Sequence, residues 1–441
     1  MPSLFNHAAR RAIPPDRKKE ADKREDVVSK PGHDEKTRNF STAQIMLMGL
    51  IFTVGPISTD MYLPAFPQIE HDLGQLPGSA QLTLTCWFVG LALGQFCLGP
   101  LSDRFGRLRP LQIGLGVYIV STIILAMTHH YGAFCLMRFV SALGGAICSV
   151  APRAIVRDVA TGREAVKLMS QLTLVFGVGP ILAPSLGSLL LALGHWRLIF
   201  WACVIAATLL LLGSSYILRE TLPPERRFAI MPSEVLHRYL SLLREPVFLS
   251  TTLLTSFCSF VMFAYLANAP QLFEHILAFT PREFAIFFGV NAGGFILATQ
   301  INGRLARRFS YVRVMETGIF LCLLSALALL AASESHLVGT HNPWPVCVTL
   351  VATTFFLGFI SPNAGVMALA HHGHQAGAAA ALLGTLNFGL GGSSGILMAF
   401  LNPQKVSSTA IGMLVGVTAI LLCDIIRRRA LKVNPLPLHE I

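Results

Sequence analysis

Gly99-Pro100-Leu101-Ser102-Asp103-Arg104-Phe105-Gly106-Arg107-Leu108-Arg109-Pro110 is a short polar stretch between two long apolar runs. Gly99, Pro100, Gly106 and Pro110 predict a turn through which neither run continues. A connection this short makes the flanking segments antiparallel neighbours. It also sets Asp103, Arg104 and Arg107 at one water-facing surface of a membrane.

Composition supports the membrane. The chain has 441 residues, 53% of them hydrophobic and 13% charged, whereas a soluble domain carries about 25% charge. A spanning helix needs roughly 20 apolar residues, so the length admits about a dozen. The runs are too long and unbroken for a β-barrel. The net charge of +11 fits a membrane surface rather than nucleic acid, because the excess lies in loops and tails. Nine cysteines are scattered without a Cys-x-x-Cys pair and read as small apolar packers, with no metal site and no cofactor.

Twelve spans are predicted at residues 42–66, 80–101, 110–128, 131–153, 166–192, 197–217, 246–272, 282–303, 312–332, 345–369, 376–400 and 406–425. The charge split tests that count. With the N-terminus inside, all but Arg138, Arg197, Arg282 and Lys405 of the 34 Lys and Arg fall on the inner side. Miscounting one central helix would scramble the split. The expected organisation is a polar cytoplasmic tail (1–41) and a six-helix bundle (42–217). A cytoplasmic central loop (218–245), a second six-helix bundle (246–425) and a cytoplasmic tail (426–441) follow. The first tail lacks the apolar core of a secretory signal and is expected to be disordered, with Arg10, Arg11, Arg17, Lys18 and Lys19 available to anionic lipid headgroups.

Two ionisable residues lie inside apolar spans, where they are costly and mark function by default. Asp60 sits in Ile57-Ser58-Thr59-Asp60-Met61-Tyr62-Leu63-Pro64, and a carboxyl at that depth, set against a nearby cation, can take up and release protons. Its structural alternative is a cap near the end of a bent helix. Arg138 lies in span four, keeps its charge, and has Asp60 as its natural partner, directly or through water. Its alternative is snorkelling to the outer surface. Gly177, Gly179, Pro180, Pro184 and Gly187 mark span five as either tightly packed or flexing. Tyr62, Gln81, Trp87, Tyr265, Asn268, Asn291, Asn363 and Asn387 are candidates to line a solute cavity, although helix packing competes for each of them. His371, His372 and His374 form a loop cluster without a carboxylate or Cys nearby and read as solvated loop. No phosphate-binding Gly-x-x-x-x-Gly-Lys-Ser/Thr loop and no catalytic constellation occurs. The chain therefore reads as a non-enzyme, and uphill transport would draw on an ion gradient or a partner.

These residues resemble a known family. Gly99-Pro100-Leu101-Ser102-Asp103-Arg104-Phe105-Gly106-Arg107 is similar to the signature loop of the major facilitator superfamily. Arg138 with Gly144 and Gly145 resembles its span-four motif, and Gly177-Val178-Gly179-Pro180 with Pro184 and Gly187 resembles the span-five motif of its antiporters. More narrowly, four pieces resemble the Bcr/CflA drug–proton antiporters, which include bicyclomycin and chloramphenicol exporters. They are Ser58–Pro64, Gln81–Leu84, Arg153–Asp158 and Ser361–Ala364. The tail is longer than the family usually carries, Ser185 and Ser188 replace small residues, and the Gly303–Arg308 loop lacks the acidic residue. The resemblance implies an all-α membrane protein, twelve helices in two bundles, working as a monomer in the bacterial inner membrane. It implies proton-coupled efflux of a small molecule by alternating access, with Asp60 carrying the proton and Arg138 tuning it. The loop Gly99, Asp103, Arg104, Gly106 and Arg107 would act as a gate. In it Asp103 would meet the N-terminal end of a second-half helix, while Arg104 and Arg107 hold Asp158 or Glu164.

Overall fold

Ser41 and Gln44 open the first long helix with reciprocal side-chain-to-backbone hydrogen bonds, a capping box. From there a computed structural model describes residues 40–160, 162–227, 232–335, 342–369, 376–401 and 405–433. His371, His372 and His374, the tail up to residue 39 and the last residues from 434 lie outside the described residues.

Twelve helices are long and apolar enough to cross a membrane. In chain order they are α1 (Thr42–Asp72), α2 (Ala80–Phe105), α3 (Leu108–Met127), α4 (Tyr131–Val159), α5 (Lys167–Leu193) and α6 (Arg197–Ile217). The second half supplies α7 (Pro246–Ile276), α8 (Arg282–Ala306), α9 (Tyr311–Glu334), α10 (Trp344–Leu369), α11 (Gly377–Phe400) and α12 (Val406–Lys432). Each predicted span corresponds to one of them. Five run four or more residues beyond their predicted ends: α1 to Asp72, α2 to Phe105, α4 to Val159, α7 to Ile276 and α12 to Lys432.

Proline explains how α1 bends. Pro56 has no N–H for the Phe52 carbonyl, and the helix is interrupted at Thr53, whose Oγ1 bonds back to the Leu50 carbonyl at 2.8 Å. A 3-10 turn at Leu63–Ala65 then carries the chain into Phe66–Asp72. In α2, Pro100 leaves the Phe96 carbonyl without its helical donor. Tyr239 of a short helix in the central loop (Pro232–Leu243) donates its hydroxyl to that carbonyl at 3.2 Å. α7 passes Pro270 and closes on one π-helical turn, Gln271–Ile276.

In the first half α2 packs on α4, α4 on α3, α3 on α6, and α1 on α5. In the second, α7 packs on α10, α11 and α12, and α9 on α10 and α12. The halves meet along α2 with α11 and along α5 with α8, and the Leu63–Ala65 turn of α1 also touches α7 and α8. α5 lies between the halves. A Cβ on Gly187 would run into the Met61 carbonyl, so only glycine allows α5 to approach α1 this closely.

Candidate transport site

Ser58 and Tyr62 stand one helical turn apart on α1, and both turn into the first half. Ser58 Oγ shares a 2.5 Å hydrogen bond with the Tyr118 hydroxyl, and the Tyr62 hydroxyl one of 3.0 Å with Thr83 Oγ1. The Arg138 side chain fills the space between them, with the residue 2% exposed. Its Nη1 and Nη2 each donate to the Ser58 carbonyl at 3.2 Å. The guanidinium lies 4.2 Å from the Tyr62 ring centre and 4.4 Å from that of Trp87. Arg138 therefore does not snorkel. Two aromatic faces and one carbonyl hold its charge inside the bundle.

Of the two expected arrangements, direct or through water, Asp60 does not take the direct one: it forms no ion pair with Arg138. Midway between Ser58 and Tyr62, it lies about 200° around the helix from both and so faces away from the Arg138 cage. It is 5% exposed, and its Oδ1 is buried without a hydrogen-bond partner.

The remaining candidates separate into groups. Gln81 Nε2 donates to Asn268 Oδ1 at 3.0 Å across the two halves, and Asn268 Nδ2 donates to Thr409 Oγ1 at 2.6 Å. Asn363 is engaged with Asn302 and the Phe359 carbonyl, and Asn387 accepts from Thr255 and Ser256. Those bonds tie second-half helices together. Tyr265 and Asn291 are buried and retain unpartnered polar atoms, the Tyr265 hydroxyl and Asn291 Nδ2. Three phenylalanines form an aromatic stack through the interface. Phe88 of α2 lies 3.8 Å from Phe263 of α7 with planes 6° apart, and Phe388 of α11 is about equidistant from both at 6.3 Å and 6.1 Å.

At the face carrying the Gly99–Pro110 loop, Arg107 is the organising residue. Its Nε and Nη2 donate to the Asp158 carboxylate at 2.6 Å and 3.2 Å, and its Nη1 to Asp103 at 2.5 Å and Ser102 at 3.1 Å. Arg104 instead lies 5.2 Å over the Phe105 ring and makes no ion pair among the described residues. α11 starts beside Asp103: a Cβ on Gly377 would be 3.9 Å from Asp103 Oδ2 and 3.4 Å from Arg157 Nη1. Gly106 has φ +91°, and a side chain there would also meet the Glu220 carboxylate.

Residues 48–396 match the Major Facilitator Superfamily. The chain belongs to that superfamily. It is 32% identical to an MFS-type transporter of Bacillus subtilis over 385 residues, 86% of this chain and 93% of that one. It is 29% identical to a bicyclomycin resistance protein homolog of Haemophilus influenzae, over 80% of this chain and 88% of that one. It is 28% identical to the multidrug resistance protein MdtL of Shigella flexneri, over 84% and 90%. Among solved structures, a bacterial homolog of the human lysosomal transporter Spinster, inward-facing and occupied, aligns with TM-score 0.65 at 18% identity over 88% of this chain and 96% of that one. The human organic anion transporter MFSD10 aligns with TM-score 0.61 at 17% identity, over 87% and 98%.

Within this Major Facilitator fold, three groups were not anticipated. Glu220, just past α6, accepts from the N–H groups of Arg107 at 2.9 Å, Leu108 at 3.2 Å, and Thr221 and Leu222 at 3.0 Å, and so caps the start of α3. In the second half Arg427, 1% exposed, donates to Asp424 and Glu316 at 2.8 Å each, which ties the end of α12 to the start of α9. The end of helix six and the start of helix three in one bundle, and their counterparts twelve and nine in the other, are thus clamped by charged side chains. Glu316 and Asp424, acidic residues in otherwise apolar runs, were a readable signal for the second clamp. The Phe88–Phe263–Phe388 stack carried none, because the chain has 29 Phe.

Proposed function

We propose that this chain is an inner-membrane exporter that exchanges protons moving inward for a small, drug-like solute moving outward by alternating access. The observation that carries the reading is Asp60: a carboxyl buried inside the bundles, turned away from Arg138, with one oxygen unpartnered. A structural carboxylate would be paired. A group that alternates between charged and neutral is better served by an incomplete shell. The relatives named for bicyclomycin and multidrug resistance support the same direction of transport.

In this reading the loop face is cytoplasmic, because the Lys and Arg concentrate there, and both termini are cytoplasmic. The Gln81–Asn268 bond and the Leu63–Ala65 turn seal the outer side in the state described. Asp103 beside the first turn of α11 is a latch between the halves on the inner side. Gly177, Gly179, Pro180, Pro184 and Gly187 let α5 slide and bend where it separates α1 from α8. The Phe88–Phe263–Phe388 stack supplies apolar faces for an aromatic or apolar solute. Each proton crossing 100 mV contributes about 2.3 kcal/mol. The protein works as a monomer among lipids that meet its exposed leucines and phenylalanines.

The test is accumulation in cells that lack their own exporters. Expression of the wild-type chain lowers the intracellular level of at least one compound in a panel of bicyclomycin, chloramphenicol and small metabolites. Raised accumulation on expression would instead show import and refute the export reading.

A further inference from the structure

We infer that Arg153, in the last turns of α4, is a recognition site for an anionic oxygen group, a carboxylate or a phosphate, carried by the solute or by a lipid headgroup of the inner leaflet. In naming a class of solute the inference deepens the proposed export and rests on that reading.

Four observations carry it. Arg153 stands six residues before the end of α4 at Val159, about 9 Å from the loop face. A helical side chain leans toward the N-terminus of its own helix, so this one leads away from the loop face and into the protein. It reaches Phe52, ten residues into α1 from Thr42, with the guanidinium 4.8 Å from the ring centre. Protein surrounds the group, yet the residue is exposed, and a side chain both enclosed and accessible lines a cavity. Arg153 makes no ion pair and no hydrogen bond among the described residues, and burial is the one influence on its charge. The Phe52 ring, backed by Phe176 of α5 at 4.5 Å, offers no acceptor, so the in-plane N–H donors stay open to the cavity. Those donors form the fork that takes a carboxylate or phosphate through two parallel bonds.

No acid of the chain fills that fork. α1 has no acidic side chain from Thr42 to Thr59, α2 none from Ala80 to Ser102, and α5 none from Leu168 to Leu193. Asp60 lies eight residues past Phe52, about 12 Å farther along the helix. At the loop face Arg107 holds both Asp103 and Asp158, and Arg157 adds a contact to Asp103 at 3.8 Å. Arg157 is one turn from Arg153 and is also exposed, so the two extend a positive stripe from the loop face inward. Arg104 and Arg308 differ: each lies over the ring of the next residue, Phe105 or Phe309, and is exposed. Arg153 alone of the three reaches across to another helix.

The guanidinium keeps its charge, so the site holds an anion without taking part in proton exchange. In an enclosed cavity that charge is poorly screened, and an ionised solute gains over its neutral counterpart.

Binding to the purified full-length protein at neutral pH tests this, with matched pairs as probes: benzoate and benzamide, 2-naphthoate and 2-naphthamide, benzyl phosphate and benzyl alcohol. At least one acid binds tenfold or more tighter than its neutral counterpart, and Arg153→Gln removes that preference. In the wild type, phenylglyoxal labels Arg153, and the bound anion protects it, which needs no variant at position 153. Protection by the soluble acids in lipid-free detergent assigns the site to a solute. Protection on replacing phosphatidylcholine with phosphatidylglycerol in nanodiscs assigns it to a headgroup. Equal binding of acid and neutral probes, a preference that persists in folded Arg153→Gln, or no protection by either source overturns the inference. No proton and no flux enters these measurements. Export with no anion binding overturns this inference alone, whereas acids held at Arg153 by a chain that exports nothing overturn the export reading alone.

Discussion

Arg138 is a buried charge held by shape. Its planar group lies against Tyr62 and Trp87 and spans the Ser58 carbonyl with two N–H donors. A lysine ammonium keeps the charge but neither the flat stacking nor the fork. We expect Arg138→Lys to cost about 2 kcal/mol of stability, seen as a lower melting temperature in detergent, with transport reduced at least tenfold. Unchanged melting and flux would mean that charge alone suffices. The depth of Asp60 and Arg138 was legible in the sequence because both interrupt long apolar runs. Their separation was not. It depends on which face of α1 meets α4, and that face is set by Tyr118 and Thr83, residues distant in the chain. For the same reason the bonds of Asn363 with Asn302, and of Asn387 with Thr255 and Ser256, were not legible.

At the scale of elements, the Gly99–Pro110 loop is held at two points, Arg107 on Asp158 and Glu220 on the start of α3. Burial acts to raise the Glu220 pKa, but backbone N–H donors outweigh it and hold the carboxyl below its ordinary value of 4.5. The stabilisation is therefore fully present above the unfolded pKa and is lost as pH falls through the lower folded value. Glu220→Gln should cost about 1 kcal/mol above pH 5, and the difference from wild type should shrink on acidification below about 4. Denaturation followed across pH 3–7 checks this, and a gap that is constant over the range would exclude the charged cap. The turn and the number of spans were readable from Gly, Pro and charge. The ends of α1, α2, α4 and α7 were not, because those helices continue past proline once a neighbour takes over the freed carbonyl or the turn changes type. Tyr239 on the Phe96 carbonyl is the clearest instance.

At the scale of the whole molecule, the charge split, the twelve helices and the superfamily match agree, since each follows from the alternation of apolar runs and basic loops. The repeat is physical as well as topological. Helices three and six, and nine and twelve, are each clamped at the loop face, by Glu220 in one bundle and by Asp424, Arg427 and Glu316 in the other. In the proposed alternating-access cycle the two bundles move against each other where they meet, along α2 with α11 and α5 with α8. Asp60 lies where that movement changes its surroundings. The central claim is that its proton drives the exchange. Purified protein in liposomes with an imposed pH gradient, given the solute identified by the accumulation assay, tests it most directly. The account predicts that reversing the gradient reverses net solute movement in the wild type, while Asp60→Asn moves solute only down its own gradient. Asp60→Asn responding to the pH gradient like the wild type would contradict it.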